Sequence, residues 1–419
     1  LSIDWACKGT WRQVCINTAW CLMGCSIGDF GTILFFQLTG ILWPVLAIMT
    51  LAIINGLLTS IALETFILAR QMPLKAAFNT AIGMSLISMV SMEAAMKFAR
   101  QYHKQTGRPH KYKFISRYFG YHGGTFGAMA ASGTGKRKTP FEPQMPGFIK
   151  VYPPNYYRDR FATWEECNRF CAQMFEDAII NEDPDTVAGV IVEPIGNTGG
   201  IVTPTDEYFR LLREICDRHD VLLIFDEIIT GWGRTGSMFA AETFGAIPDM
   251  ICSGKALSNG TIPLGAMIAR EDMAEAFRGD PAAGLNFAHG HTYAGSPVGC
   301  AAGLAVIDEI VERDLVRRSG EMGDYLAEKL EGLKKYGVVR EVRGRGLIRG
   351  VELVKDTRGM EPFPELGTAL KKTALENGLI IRIDPTWFAV VPALVIKKDE
   401  IDELCELIDR SLQAALAQV

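Results

Sequence analysis

VLLIFDEIITGWGRTGSMFAAETFGAIPDMICSGKALSNG, residues Val221 to Gly260, holds two short apolar runs that each lead to a charged side chain. The first, Val221 to Phe225, has no alternating polar face and stops at Asp226. That is the pattern of a strand buried on both faces of a parallel sheet. The second, Met250 to Cys252, delivers Ser253-Gly254-Lys255 in the same way. Open α/β sheets bind ligands beyond the carboxyl ends of their strands, so the spacing predicts one pocket facing both Asp226 and Lys255.

A carboxylate and an ammonium so placed suit pyridoxal phosphate. The lysine forms an imine with the aldehyde, and the acid keeps the pyridine nitrogen protonated so that the ring can accept electrons. Either residue alone reads as an ordinary strand-end acid or a surface lysine. The whole string, however, resembles the class III pyridoxal-phosphate-dependent aminotransferases. The resemblance rests on Asp226-Glu227-Ile228, Gly231-Trp232-Gly233-Arg234-Thr235-Gly236, Pro248-Asp249, Ser253-Gly254-Lys255 and Pro263-Leu264-Gly265. From Glu93 it continues without a visible gap to the end of the chain.

The resemblance implies an α/β fold, the pyridoxal-phosphate-dependent transferase fold type I, incomplete at its amino terminus and carrying a smaller α+β carboxy-terminal domain. It also assigns roles. Lys255 and Asp226 are the catalytic pair. Tyr121, in Gly120-Tyr121-His122-Gly123-Gly124, lies over the cofactor ring with His122 beside it, and Ile228 packs on the opposite face. Glu193 ends the apolar run Val187 to Val192; the family places this acid near the cofactor, and a purely structural role at the strand end fits as well. Thr292, in His289-Gly290-His291-Thr292-Tyr293-Ala294-Gly295, hydrogen-bonds the phosphate of a neighbouring subunit, which makes the working unit a homodimer. Arg382 interrupts the run Leu379 to Ile383 and clamps a substrate carboxylate. The implied reaction moves an amino group from an amino acid or ω-amino acid to a 2-oxo acid. A decarboxylase or aminomutase of the same family shares these motifs.

Elsewhere the chain alternates strands and helices: strands at 113–118, 338–342, 347–353 and 379–383, helices at 205–219, 296–312, 320–336 and 366–377. Net charge is −5 with no basic stripe, which argues against a nucleic-acid partner. The ten cysteines lack zinc-type or redox spacing. Cys167 and Cys171, one helical turn apart, read as a buried helix face.

The first ninety residues read differently. Gly31 to Leu63 and Ala76 to Met92 contain no charged residue. Crossing a bilayer core of about 30 Å takes roughly 20 apolar helical residues. This predicts three spans, near Cys15 to Leu38, Trp43 to Leu68 and Leu74 to Lys97, and hence a transmembrane module over 1–92. Domains then follow at 93–315 (large, cofactor-binding) and 316–419 (small). Gly24-Cys25-Ser26-Ile27-Gly28-Asp29 resembles a small bacterial integral-membrane family of unknown function, over about 11–95. Cys21, Cys25 and Asp29 recur every fourth residue, as a soft-metal or proton site would, or as helix packing would. Basic residues after the third span, from Lys97 to Lys113, place the enzyme part in the cytoplasm by the positive-inside tendency. Where the family carries a Gly-Ser-Glu-Ala-type phosphate-binding turn, this chain reads Ser88-Met89-Val90-Ser91. The alternative to an enzyme is therefore an inactive membrane-anchored fusion lacking half of the phosphate cup.

Overall fold

The apolar runs become the inner strands of a mixed sheet. The structure, a computed structural model, describes residues 90–292, 294–358 and 361–419. Strands β1 (Lys113–Arg117), β2 (Phe148–Val151), β3 (Val187–Val192), β4 (Leu222–Asp226) and β5 (Met250–Ser253) run parallel, and β6 (Ala266–Ala269) is antiparallel to β5. Their order is β2-β1-β3-β4-β5-β6. Both β3 and β4 are buried along their whole length.

Alternate side chains explain why. Ile115, Val190, Val192, Leu223 and Phe225 face one core, which helices α2 (Trp164–Asn181) and α3 (Asp206–Arg218) cover with Phe175, Ile179, Phe209 and Leu212. Thr163 and Thr205 cap these helices, their hydroxyls accepting from Glu166 N and Tyr208 N. Cys167 and Cys171 are fully buried in α2. On the other face Phe114, Ile191 and Ile224 meet helix α1 (Val90–Gln105) through Met92, Ala95, Met96 and Ala99.

Helix α1 corrects the membrane reading where the two overlap. Residues 90–97, the end of the expected third span, belong to an amphipathic helix whose apolar stripe packs on a sheet, with Lys97 and Lys104 exposed. Among the described residues no helix is long and apolar enough to cross a membrane. The remaining span residues, with Cys21, Cys25 and Asp29, lie outside the described residues.

After helix α4 (Pro297–Glu312), the chain builds a second sheet, β7-β8-β10-β9, all antiparallel. Its strands are β7 (Val339–Arg345), β8 (Ile348–Leu353), β9 (Arg382–Asp384) and β10 (Trp387–Val390). Helices α5 (Leu315–Glu331), α6 (Pro364–Glu376) and α7 (Lys398–Leu416) close its core with Leu326, Leu330, Leu370, Ile408 and Leu412. The expected helix at 320–336 begins earlier, at Leu315, and its last turn tightens to a 3-10 helix over Gly332–Tyr336. The strand expected at 379–383 is shorter and later, because Ile380 is exposed and only Arg382 to Asp384 pair with β10.

His103, on α1, is fully buried; its Nε2 lies 2.9 Å from Ala188 O, while Nδ1 has no partner among the described residues. Burial lowers its pKa from 6.5 to about 4. The unfolded chain therefore binds this proton first, and stability is lost as pH falls from 6.5 toward 4. The loss approaches about 3 kcal/mol at 1.36 kcal/mol per unit. We expect His103→Gln to flatten that acid limb, read as the urea midpoint against pH.

Candidate active site

The carboxyl ends of β1, β3, β4 and β5 share one edge of the parallel sheet, and each has a polar residue at or just past its end: Arg117, Glu193, Asp226 and Ser253. Register makes this so: Val192 pairs with Phe225 and Asp226 with Cys252, which puts Glu193 just past the last paired position of β3, Asp226 at the last of β4, and Lys255 two residues past β5. Asp226 is almost completely buried. Its Oδ2 lies 2.8 Å from His122 Nδ1, and its Oδ1 accepts from Ile228 N at 3.2 Å. A carboxylate only accepts, so Nδ1 carries the proton of this bond.

Glu193, equally buried, bridges two loops: Oε1 accepts from Tyr121 N at 2.7 Å and Oε2 from Asn197 N at 2.9 Å. Burial raises the pKa of its carboxyl, and Asp226 adds to the effect while His122 opposes it. Lys255 sits in the left-handed region, at φ 41°, a conformation that costs a non-glycine residue energy. Its side chain is crowded by protein yet keeps accessible surface, as in an open recess. Burial lowers the Lys255 pKa from 10.5, with Asp226 and Glu193 pulling it back up. Ile228 packs beside Gly254, where an added Cβ would lie 3.1 Å from Ile228 Cδ1.

Six of the expected residues thus come together: Tyr121, His122, Glu193, Asp226, Ile228 and Lys255. The His122 ring is fixed by its bond to Asp226. Two residues stand apart. Thr292 is exposed in a turn. Arg382 donates from Nε to Asp384 at 3.0 Å, and its guanidinium lies 4.7 Å from the centroid of the Trp387 ring.

Sequence reasoning missed several supports. Arg117 is buried and donates to the Glu193 carbonyl, fixing the end of β3. Trp232, at φ 62°, donates from Nε1 to Ser253 Oγ at 2.5 Å, holding the turn after β4 against the strand that carries Lys255. Glu227 faces away from the recess and accepts from Ala240 N, Ala241 N and Thr230 Oγ1. Only its position in Asp226-Glu227-Ile228 hinted at a role, since neighbouring strand residues point to opposite faces.

A sheet of this topology with a lysine and a carboxylate converging at its carboxyl edge defines a pyridoxal-phosphate-dependent transferase of fold type I. The chain belongs to the class III aminotransferases: the family model described as aminotransferase class-III matches residues 49–412. A probable aminotransferase of Mycobacterium tuberculosis is 42% identical over 335 residues, covering 77% of this chain and 70% of that protein. An omega-aminotransferase of Caulobacter vibrioides is 36% identical over 328 residues, covering 77% of this chain and 73% of that one. Among solved structures, an amine transaminase from an uncultivated Pseudomonas species in its PLP-bound form superposes with a TM-score of 0.73. It is 33% identical, covering 79% of this chain and 75% of that one. The family is pyridoxal-phosphate-dependent.

The match from residue 49 overturns what remained of the membrane reading. It takes in most of the second expected span and all of the third, so the transmembrane module over 1–92, the bilayer contact through 15–97 and the multi-pass membrane location are withdrawn. Uncharged runs such as Ala76 to Met92 are family sequence that leads into a core helix.

The residues present suit the cofactor at its ring end. Among the described residues the Lys255 ammonium has no hydrogen-bond or ion-pair partner, in a recess floored by a fixed carboxylate. The loop that aims Tyr121 is set by Gly133, whose N donates to Gly120 O at 2.9 Å. A Cβ on Gly133 would lie 2.2 Å from Arg117 O. Gly133→Ala should therefore lower stability by about 1–3 kcal/mol, the usual cost of overpacking, read as a lower Tm.

Proposed function

We propose that this chain catalyses amino transfer from an amino acid or ω-amino acid to a 2-oxo acid, with Lys255 as the proton carrier. The observation that carries the reading is the unpartnered, pKa-lowered Lys255 facing Asp226. When bound, pyridoxal phosphate supplies an aldehyde for the amino group and a ring that takes up electrons from the adjacent carbon.

The chain's own residues do the rest. Neutral Lys255 Nζ accepts a proton from the substrate carbon and returns it elsewhere, as a general base poised below the usual lysine range. Asp226 stabilises a proton on the ring nitrogen, and His122 fixes the carboxylate's orientation. Tyr121 and Ile228 would hold the cofactor ring and so help align the bond that breaks. Glu193 holds the Tyr121 loop in place.

Thr292 binds phosphate on a second copy of the chain, and Arg382 takes a substrate carboxylate with its free guanidinium edge. Support for a homodimer comes from α4, just after the Thr292 turn, where the apolar residues Val298, Leu304 and Val311 are exposed. The likeness to an omega-aminotransferase favours ω-amino acids among the donors.

Purified protein given pyridoxal phosphate should acquire the visible absorbance of lysine-bound pyridoxal and lose it on addition of an amino donor. Lys255→Ala should abolish both and lower turnover by about 10³-fold or more. Colourless wild-type protein in excess cofactor would sink the proposal. Asp226→Asn should keep the absorbance but lower kcat by roughly 10²–10³-fold, as loss of a preorganised charge does.

The pH dependence has a definite sign. Only neutral Lys255 accepts a proton, and burial lowers its pKa from 10.5. The rate of the proton-transfer step should rise with pH through a value below 10.5, read in single-turnover kinetics.

A further inference from the structure

The segment after the Tyr121 loop carries Lys136, Arg137 and Lys138 in succession, and it is fastened to the site rather than loose beside it. Gly133 N and Thr134 Oγ1 both donate to Gly120 O, at 2.9 and 3.2 Å. The segment leads Arg137 back onto Tyr121, with its guanidinium carbon 4.7 Å from the ring centroid. Arg137 is exposed, and among the described residues none of the three cations has an acidic partner within ion-pair distance. Lys138 also acts on a neighbour: burial and, after it, Lys138 lower the pKa of Lys150, on β2, to about 7. In a chain of net charge −5, an unneutralised cluster against a site residue calls for an anion from outside.

We propose that Arg137, held on the face of Tyr121, is a receptor for a substrate carboxylate remote from the reacting amino group. The inference rests on the amino-transfer reading above and deepens it, because it names the substrate class: ω-amino acids and dicarboxylic amino acids in preference to plain amines. A guanidinium fits the role. It is charged at every working pH, it binds carboxylate through two parallel N–H bonds, and it does so while its flat face stays on an aromatic ring. Stacking on Tyr121 restrains the long side chain beforehand, which lowers the ordering cost of binding. Arg382 lies on the second sheet with its own partners, so the two guanidinium groups are independent of each other.

Two measurements test this, one of them needing no turnover. Glutarate, a dicarboxylate without an amine, should bind the wild-type holoenzyme in a calorimetric titration. It should bind about tenfold more weakly to Arg137→Gln and with intermediate strength to Arg137→Lys. In parallel, the ratio of kcat/KM for γ-aminobutyrate over n-butylamine should fall about tenfold in Arg137→Gln, through KM. Glutarate binding and a substrate ratio that do not change in Arg137→Gln would overturn the proposal. So would loss of pyridoxal phosphate from that variant, which would place Arg137 on the cofactor's phosphate instead. Arg137-dependent glutarate binding by a wild type that never turns over would uphold the receptor and refute the amino-transfer reading, so the two failures are distinguishable.

Discussion

A hydrogen bond between two buried side chains, His122 and Asp226, ties together strand ends that are not neighbours in the sheet. Strand β3 lies between β1 and β4, so the bond passes over the carboxyl end of β3, where Glu193 emerges. Adjacent strands sit about 4.8 Å apart, and two such spacings are too wide for short side chains to bridge directly. The Gly120 loop closes the gap by folding back over the sheet edge. Glu193 anchors that loop through the Tyr121 amide, and Ser132 Oγ lies 2.8 Å from the His122 amide. Each of these groups is nearly dry, so each bond supports the next: an unpaired buried polar group costs about 1–3 kcal/mol, more than a typical bond contributes.

The same crowding sets the chemistry. Two buried carboxylates stand near an amine crowded by protein, and desolvation drives the amine and one of the acids toward their neutral forms. Glu193 moves up and Lys255 moves down. Asp226 is held by a histidine N–H at one oxygen and a backbone N–H at the other. The arrangement thus orients a carboxylate and eases the loss of a proton from the amine. A free lysine beside the same acid in water would do neither.

Much of this was legible in the sequence, for a simple reason. A strand buried on both faces has no polar residue to spare, so the first charge after it marks its end, and parallel register puts all such ends on one edge. That logic reached Glu193, Asp226 and Lys255 directly. It could not reach the His122–Asp226 bond, which joins residues 104 apart across an intervening strand. Nor could it find Arg137, because three consecutive cations look like any solvated surface and nothing in their spacing points to Tyr121. The membrane reading failed on the same kind of pattern that succeeded elsewhere. Absence of charge marks removal from water, whether into lipid or into a core, and residues 90–97 are apolar where they lie on a sheet.

The two sheets are joined by charges as well as by an apolar contact, in which Ile348, Trp387 and Ala389 of the second sheet pack into the core of the first. Arg158, in the turn after β2, pairs with Glu341 and, at 3.4 Å, with Glu352; Arg343 bonds the same two acids at 2.7 and 2.5 Å. Arg343 also donates from Nε to Gly200 O at 2.6 Å. Against the upward push of burial, Arg158 and Arg343 hold the Glu341 carboxyl below its ordinary pKa. Gly200, at φ 99°, has no room for a side chain, since a Cβ would meet Arg343 Nη2 at 2.9 Å and Trp387 at 3.2 Å. The glycine-rich turn that follows Glu193 is therefore clasped by β7 and β10, and Trp387 is also the ring on which Arg382 rests. Hydrogen-bonded ion pairs are directional, so they fix an angle between the sheets as well as a distance. In this way the residue expected to hold a substrate carboxylate and the acid that positions Tyr121 are referred to one rigid joint.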